Sequence, residues 1–281
     1  MPDLATTIPE IRALCQNFRQ SGAKIGFVPT MGALHEGHGA LIDRAHTECD
    51  AVVVSIFVNP IQFDRQEDYD RYARNLAADL DFCGRRKVAL VFAPSPGEMY
   101  PRAQRAFVEV TGMSEQLCGE FRPGHFRGVA TVVAKLFNIV QPDYAYFGEK
   151  DIQQLAVIRA MVADLNMPIA IAAVPTVREP DGLALSSRNE RLTPEQRKAA
   201  PTIYTALQLA RNAIAEGVRD ANAVKQTALA KLAEEPQLRP EYLEVVNSET
   251  MQPVSEVSGR VCVATAAWLG TTRLIDNVLW P

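Results

Sequence analysis

The chain has 281 residues, of which 47% are hydrophobic and 22% charged, and its formal net charge is −4. This length and composition are typical of a globular protein with one large or two medium domains. The acidic balance argues against general binding of nucleic acid, which favours a basic face, although a cleft can still be locally positive and bind a small anion.

The cysteine pattern and the lack of targeting signals indicate which cellular compartment the protein is expected to occupy. The five cysteines are odd in number, and none occurs in C-x-x-C spacing, which favours free thiols in a reducing compartment. The N-terminus lacks a basic start followed by an apolar run, so we expect no secretory signal. Apolar stretches such as residues 51–58 are too short to span a bilayer as helices. We therefore expect a cytoplasmic protein with no membrane partner.

The first part of the chain alternates predicted helices and strands. Thr7 and Glu10 are a predicted capping box for the first helix, with Pro9 in its first turn. Further on, the patterns predict strands at 24–28, 51–57, 87–92, 107–110 (an edge strand), 143–147 and 169–174. They predict helices at 39–49, 64–83, 129–140 and 152–165, and a loop at 94–101. This alternation predicts an α/β fold with a Rossmann-like, mostly parallel sheet flanked by helices.

The composition changes after residue 177, where a polar loop at 178–191 begins. Thr193 and Gln196 repeat the capping box and predict a long helix. A second helix near 222–234 and strands at 242–246, 261–267 and 273–278 then predict a smaller α+β unit. We place the boundary near residue 176, which gives domains 1–176 and 177–281.

One turn organises the chemistry. The segment Val28-Pro-Thr-Met-Gly-Ala-Leu-His-Glu-Gly-His38 joins the first long strand to a helix. A strand-turn-helix step brings backbone N–H groups and a positive helix end together, which suits a phosphate. His35 and His38 can face the same side of that turn. The H-x-G-H pair therefore suggests two imidazoles against a bound phosphate, although such a pair can also be a solvated helix cap.

Polar side chains follow other strands as well, and parallel sheets bind ligands beyond the carboxyl ends of their strands. We expect these side chains to line one crevice with residues of the inter-domain loop: Asn59, Gln62, Lys150, Asp151 and Gln154, with Ser186, Ser187 and Arg188. Lysine and arginine neutralise phosphate charge, and imidazoles donate hydrogen bonds to its oxygens. Alone, Lys150 and Arg188 could equally be surface charges or structural ion pairs. The chain has no Walker sequence, which excludes P-loop chemistry.

Two other site types can be weighed from the sequence. His35, His38, His46 and Cys49 match a zinc set by residue type, but His38 and His46 are roughly 12 Å apart along one predicted helix, and zinc ligands lie about 2.0–2.3 Å from one ion. We therefore predict no protein-built metal site. Ser186 and Ser187 lack a G-x-S-x-G elbow, and no histidine follows His125, which favours binding over a nucleophilic role.

Together these motifs resemble the pantothenate synthetase (pantoate–β-alanine ligase) family of the H-x-G-H nucleotidyltransferase group. The resemblance spans the chain and is strongest at 29–38, 57–63, 122–154 and 183–189. It implies ATP-dependent condensation of (R)-pantoate with β-alanine through a pantoyl-adenylate, giving pantothenate, AMP and diphosphate for coenzyme A biosynthesis. It also implies Mg²⁺ on the phosphates, a homodimer, and a C-terminal lid over a nucleotide- and pantoate-binding domain.

The resemblance also implies roles for individual residues. The catalytic residues would be His38, His35, Lys150 and Arg188, and Gln62 and Gln154 would hold pantoate beside Asn59, with Gln62 also bordering the β-alanine site. ATP would contact Met31, Gly32, Ala33, Leu34, His35, Glu36, Gly37, His38, Gly148, Glu149, Lys150, Asp151, Val177, Leu185, Ser186, Ser187 and Arg188.

Some positions depart from the family pattern. Gly39 replaces a bulkier apolar residue, which should loosen the first helical turn, and Ala73, Leu185 and Ile152 replace a proline, a methionine and an often aromatic residue. Two alternatives stay open at this point: adenylyl transfer onto another acceptor such as a nucleotide monophosphate, and a non-catalytic nucleotide-sensing module.

Overall fold

The computed structural model describes all residues, 1–281. Its largest element is a six-stranded sheet in the order β1-β4-β3-β2-β5-β6, and all its neighbouring strands are parallel. The strands are β1 (Asp3–Ala5), β2 (Ile25–Thr30), β3 (Ala51–Ile56), β4 (Leu90–Phe92), β5 (Tyr144–Gly148) and β6 (Ala170–Val174). The predicted Rossmann-like sheet is therefore confirmed, with β1 as a strand too short for the sequence pattern to reveal.

Helices cover both faces of this sheet and continue into the C-terminal part. Thr7 and Thr193 cap their helices with the capping boxes that the sequence predicts. The helices are α1 (Ile8–Gln20), α2 (Glu36–Glu48), α3 (Gln66–Asp70), α4 (Leu76–Arg85), α5 (Pro96–Met99), α6 (Cys118–Phe121), α7 (His125–Val140), α8 (Ile152–Asp164), α9 (Pro194–Ala199), α10 (Thr202–Ala215) and α11 (Ala221–Ala233). None of them combines the length and apolar character that a membrane crossing requires.

Strand order creates the crevice. From β2 the chain adds β3 and then β4 on one side, and it returns to the other side of β2 with β5 and β6. The carboxyl ends of β2 and β5 therefore lie at a topological switch point, where open α/β sheets bind their ligands. The segments that follow β2, β3 and β5 carry the histidine pair, the Asn59–Gln62 turn and Lys150.

The C-terminal part forms a three-stranded antiparallel sheet, β7 (Leu238–Asn247), β8 (Val261–Leu269) and β9 (Thr272–Trp280). Its central strand is buried on both faces: Val261 and Val263 belong to the core under α10 and α11, whereas Cys262 and Ala264 share the large core of the parallel sheet. Burial of alternating residues on opposite sides follows from the period of two along a strand. The division into domains at residue 176 stays a prediction.

Several predicted elements are wrong in detail. Residues 107–110 form no strand, since Val108 and Val110 pack on the core but no neighbouring strand of the chain pairs with them. The predicted helix 64–83 is split into α3 and α4, because Asn75 starts a new helix by accepting a hydrogen bond from the Ala78 N–H. The loop at 94–101 contains α5, and the long helix after Thr193 is two helices, α9 and α10.

The glycine at position 39 makes room for an arginine. A Cβ on Gly39 would lie 2.5–2.7 Å from the guanidinium atoms of Arg86. That guanidinium stacks on the Phe82 ring at 4.1 Å and forms ion pairs with Glu36 and Asp43 on α2. Arg86 therefore occupies the space that a bulkier apolar residue would fill, and the expected loosening of the first turn of α2 stays a prediction.

Candidate active site

A buried carboxylate holds the turn between β2 and α2. Gly32 and Ala33 have φ angles of +83° and +51°, in the left-handed region. Asp79 of α4 is 3% exposed and accepts the N–H groups of Ala33 at 3.1 Å and Leu34 at 2.8 Å. Hydrogen bonds from backbone N–H groups to a carboxylate are strong, so Asp79 fixes the shape of the turn.

Sequence reasoning did not identify Asp79. Its turn partners lie 45 and 46 residues earlier in the chain, and an aspartate within a polar helix reads as a solvated residue. No local signal marks it.

Both histidines of the H-x-G-H motif expose the same ring nitrogen. Nδ1 of His35 accepts the Gly37 N–H at 3.1 Å, and Nδ1 of His38 accepts the His35 N–H at 3.2 Å. A neutral imidazole that accepts at Nδ1 carries its proton on Nε2. The ring centroids are 4.2 Å apart. The pair therefore offers two Nε2–H donors, while His35 also caps α2, which begins at Glu36 and not near residue 39.

The surroundings keep these imidazoles neutral. Burial, followed by the charge of His35, lowers the pKa of His38 to about 3. The pKa of His35 is also lowered, by burial and then by the nearby Lys150 ammonium. At neutral pH the two rings are thus donors without a charge of their own, and Lys150 provides the positive charge beside them.

The C-terminal sheet positions Lys150. After β5, residues Glu149–Asp151 form a 3₁₀ turn into α8. Asn277 of β9 donates from Nδ2 to the backbone oxygens of Glu149 at 2.8 Å and Lys150 at 3.0 Å. Lys150, Ser186 and Arg188 line one cavity together with Asn189. Lys150 also acts on the histidine pair, because burial, together with the charge of Lys150, lowers the pKa of both rings.

The loop after β6 folds back on itself before it reaches this cavity. Leu185 donates its N–H to the Val177 oxygen at 3.0 Å, and Leu185 lies beside Gly37 of the H-x-G-H turn. Ser186 caps a 3₁₀ turn, Ser187–Arg191, by accepting the Arg188 N–H at 3.2 Å. The pKa of Arg188 is lowered by burial and then by the charge of Arg122.

A bidentate ion pair anchors that loop. The Arg178 guanidinium donates to both carboxylate oxygens of Asp276 on β9, at 2.6 and 2.9 Å, and it lies 3.7 Å from the ring centroid of Tyr204. Asp276 is 5% exposed. Arg178, Asp276 and Asn277 were not singled out from the sequence, because their partners lie far away along the chain.

A buried amide cluster lies beside the turn that follows β2. Asn59 and Gln62 are 1% and 7% exposed. Nδ2 of Asn59 donates to Oε1 of Gln62 at 3.0 Å, and Nε2 of Gln62 donates to the Met31 sulfur at 3.1 Å. His125, at the start of α7, donates from Nδ1 to the backbone oxygen of Gln62 at 2.8 Å. The start of α7 therefore holds the Gln62 turn in place.

The two glutamines of α8 have different environments. Gln153 is buried and bonds the backbone of Met113, Gln116 and Cys118 at 2.6–3.1 Å. Gln154 is half-buried and has no such partners within the chain. Gln153 therefore supports the loop before α6, whereas Gln154 keeps its amide available.

Glu36, one of the expected ATP contacts, lies outside this cluster, as do His46 and Cys49, for which the sequence argues against a role as zinc ligands. Glu36 points outward, 67% exposed, and pairs with Arg86. His46 bonds the Arg86 oxygen at 2.8 Å, and Cys49 contacts the Tyr146 hydroxyl at 3.4 Å. No group of three or more His, Cys, Asp or Glu side chains is arranged to hold a metal ion.

Comparison with known proteins identifies the family. A family model described as pantoate-beta-alanine ligase matches residues 3–279. The chain belongs to the pantoate–β-alanine ligase family. The family resemblance that the sequence motifs predict is therefore confirmed.

Individual family members resemble the chain over nearly its whole length. It is 51% identical to the pantothenate synthetase of Thermotoga neapolitana, over 97% of this chain and 98% of that one. It is 54% identical to that of Pseudomonas putida strain W619, over 97% and 95%.

Solved structures give the same result. A crystal structure of pantothenate synthetase from Thermus thermophilus has a TM-score of 0.92 at 46% identity, with 98% of each chain covered. The pantoate–β-alanine ligase of Francisella tularensis, solved in complex with beta-gamma ATP and β-alanine, has a TM-score of 0.81 at 34% identity, over 99% of this chain and 98% of that one.

We predict that His38 and His125 stay neutral in the free protein between pH 8 and pH 5.5, because burial lowers their pKa values to about 3 and about 4. Long-range ¹⁵N NMR spectra of the four histidines, assigned by single substitutions, measure this and should also show the Nε2–H tautomer for His35 and His38. A His38 titration midpoint above pH 6 would contradict the assignment.

The same pKa shifts predict how stability depends on pH. Because the unfolded chain protonates these rings near pH 6.5, the free energy of unfolding should fall as the pH drops below that value.

Proposed function

We propose that the chain joins (R)-pantoate to β-alanine at the expense of ATP, which yields (R)-pantothenate, AMP and diphosphate. Family membership supports the reaction. The observation that carries the proposal is the cluster of two Nε2–H imidazoles, one ammonium and one guanidinium beyond the carboxyl ends of β2 and β5. Such a cluster suits the charge that develops on a phosphate under attack.

In the first step, a carboxylate oxygen of pantoate attacks the α-phosphorus of ATP. The new P–O bond forms as the bond to the β-phosphate oxygen breaks, and diphosphate leaves with that electron pair. His38 and Lys150 donate hydrogen bonds to the α-phosphate oxygens, with His35 beside them. Arg188, Ser186 and Ser187 bind the departing diphosphate. Donors fixed in place before the reaction stabilise developing charge without having to reorganise.

In the second step, the amine of β-alanine attacks the acyl carbon of pantoyl-adenylate. The C–N bond forms, AMP leaves with the electrons of the C–O bond, and the surplus amine proton passes to solvent. No covalent bond to the protein is required, so no side chain acts as a nucleophile. Gln62 and Gln154 hold pantoate through uncharged amide contacts, and Gln62 borders the β-alanine site.

The ATP site also fits a magnesium ion that arrives with the nucleotide. Mg²⁺ is commonly held by one or two carboxylates together with substrate phosphates, and Asp151 lies in the turn beside Lys150, 3.8 Å from its Nζ atom. When bound, Mg²⁺ would neutralise phosphate charge. The chain's own contribution is the Asp151 carboxylate and the cations around it.

An end-point assay with ATP, Mg²⁺, pantoate and β-alanine, omitting each in turn, tests the reaction. We expect diphosphate release to require pantoate, and pantothenate formation to require all three substrates. Diphosphate release with a nucleotide monophosphate in place of pantoate would favour the other adenylyl transfer. ATP binding without turnover would favour a sensing module.

Replacing His38 tests the proposed phosphate donor. We predict that His38→Ala slows adenylate formation by about 10²–10³-fold, the usual cost of losing one such donor, as measured by pre-steady-state diphosphate release. His46→Ala is the matched control, since His46 lies on the exposed side of the same helix. Near wild-type adenylation by His38→Ala would refute the role.

We also propose that the C-terminal part, residues 177–281, covers the acyl-adenylate and excludes water. Enzymes protect labile intermediates in this way. The loop that carries Ser186 and Arg188 is tied to β9 through the Arg178–Asp276 pair. Without the Arg178–Asp276 ion pair, the loop should cover the acyl-adenylate less tightly. Ser186 and Arg188, the proposed phosphate ligands on that loop, would still be present.

The pair therefore provides a test of water exclusion. We predict that Arg178→Ala releases more AMP than pantothenate, whereas Arg197→Ala, which breaks an exposed pair with Asp181 on the same loop, keeps their ratio near one. The product ratio is measured at a temperature at which circular dichroism shows folded protein, because an unpaired buried carboxylate costs about 3–5 kcal/mol. An unchanged ratio for folded Arg178→Ala would argue against the cover.

Assembly and compartment complete the proposal. We infer a cytoplasmic homodimer, as the family resemblance implies. Light scattering should give twice the 30.9 kDa chain mass; the mass of a single chain would contradict the dimer.

A further inference from the structure

We infer that Tyr100 is a positioning residue for pantoate, because its hydroxyl holds the Asn59 amide, which in turn orients the Gln62 amide. This inference rests on the proposed function, in which Gln62 holds pantoate. Tyr100 follows α5, and its hydroxyl donates to Oδ1 of Asn59 at 2.7 Å. Asn59 in turn donates to Oε1 of Gln62 at 3.0 Å.

The direction of this relay follows from one group that can only accept. Nδ2 of Asn59 lies 3.2 Å from the backbone oxygen of Gly128 in α7. A carbonyl oxygen has no proton to donate, so the Asn59 NH₂ group must face it. The Asn59 oxygen therefore faces Tyr100, and the Tyr100 hydroxyl must be the donor. The orientation of a side-chain amide is assigned from its partners, so the Gly128 oxygen at one end of the Asn59 amide and the Tyr100 hydroxyl at the other together select this orientation.

The consequence for Gln62 is a fixed polarity. Its amide oxygen accepts from Asn59, so its NH₂ group faces the opposite way, towards Met31 of the ATP-binding turn. Gln62 can then offer pantoate N–H donors and not a carbonyl oxygen. A carboxylate or hydroxyl oxygen of pantoate accepts hydrogen bonds from such donors. A flipped Gln62 amide would instead place its own oxygen against the substrate carboxylate, where no hydrogen bond can form.

Several contacts hold the Tyr100 ring in place. It packs against Phe57 with ring centroids 6.2 Å apart, and the Lys135 ammonium lies 4.6 Å from its centroid. Lys135 also donates to the Met99 oxygen at 2.6 Å, which ties the end of α5 to α7. Burial raises the pKa of Tyr100 above its ordinary value, so the hydroxyl keeps the proton that the relay needs.

Tyr100→Phe removes the hydroxyl and keeps the ring. We expect KM for pantoate to rise about two- to twelvefold, the range that one net hydrogen bond represents, while kcat and KM for ATP change little. Tyr144→Phe is the matched control, since Tyr144 lies at the start of β5, the end of the strand opposite the crevice. An unchanged KM for pantoate in folded Tyr100→Phe would overturn the inference.

A double-mutant cycle separates positioning from general support. If Tyr100 acts through Gln62, Tyr100→Phe should have no further effect on KM for pantoate in a Gln62→Ala background. If instead the two effects multiply, Tyr100 acts independently of Gln62, and the relay is wrong.

Gln62→Glu gives a second test that does not alter Tyr100. The new carboxylate can still accept from Asn59 but offers no N–H to pantoate, so we expect KM for pantoate to rise at least as much as in Gln62→Ala. Wild-type affinity in Gln62→Glu would overturn the donor assignment. Failure of the wild-type chain to form pantothenate would instead refute the proposed function itself.

Discussion

The site depends on the reversal of strand order between β2 and β5. This reversal places the carboxyl ends of β2 and β5 at a switch point, and the segments that leave β2, β3 and β5 all begin at that edge of the sheet. The histidine pair, the Gln62 turn and Lys150 are thus neighbours because of topology, although more than 100 residues separate His38 from Lys150 in the sequence. Arg188 is the exception, since it comes from a loop that the Arg178–Asp276 pair fastens to β9.

The candidate site combines uncharged hydrogen-bond donors with positively charged side chains. Burial keeps the imidazoles neutral, and their Nδ1 atoms are occupied by backbone N–H groups, so each ring presents one defined donor. In the proposed function, Lys150 and Arg188 contribute the positive charge that a triphosphate requires. In the proposed reaction, therefore, the histidines stabilise the transition state by hydrogen bonding and need not transfer a proton.

Local patterns predicted much of this fold. The two capping boxes, the long helices and the buried strands β2, β3 and β5 follow from residues close together in sequence. The candidate site residues were found because turns rich in glycine, histidine or lysine follow those strands. The edge strand at 107–110 was wrong, because alternating residues reveal which side chains are buried but not whether a neighbouring strand exists.

The residues that were missed act over long sequence distances. Asp79 holds the turn that carries the H-x-G-H motif, Asn277 holds the Lys150 turn, and Tyr100 bonds Asn59. Each looks like an ordinary helix, strand or loop residue until the fold supplies its partner. The same holds for Gly39, since Arg86, the side chain that fills the space beside it, lies 47 positions later.

The central claim is that groups from distant parts of the chain converge on the phosphates of one ATP. A crystal structure of the protein with pantoate and a non-hydrolysable ATP analogue tests it most directly. We expect the α-phosphate within hydrogen-bond distance of Nε2 of His38 and Nζ of Lys150, with Arg188 on the terminal phosphates. A triphosphate bound away from these three side chains would contradict it.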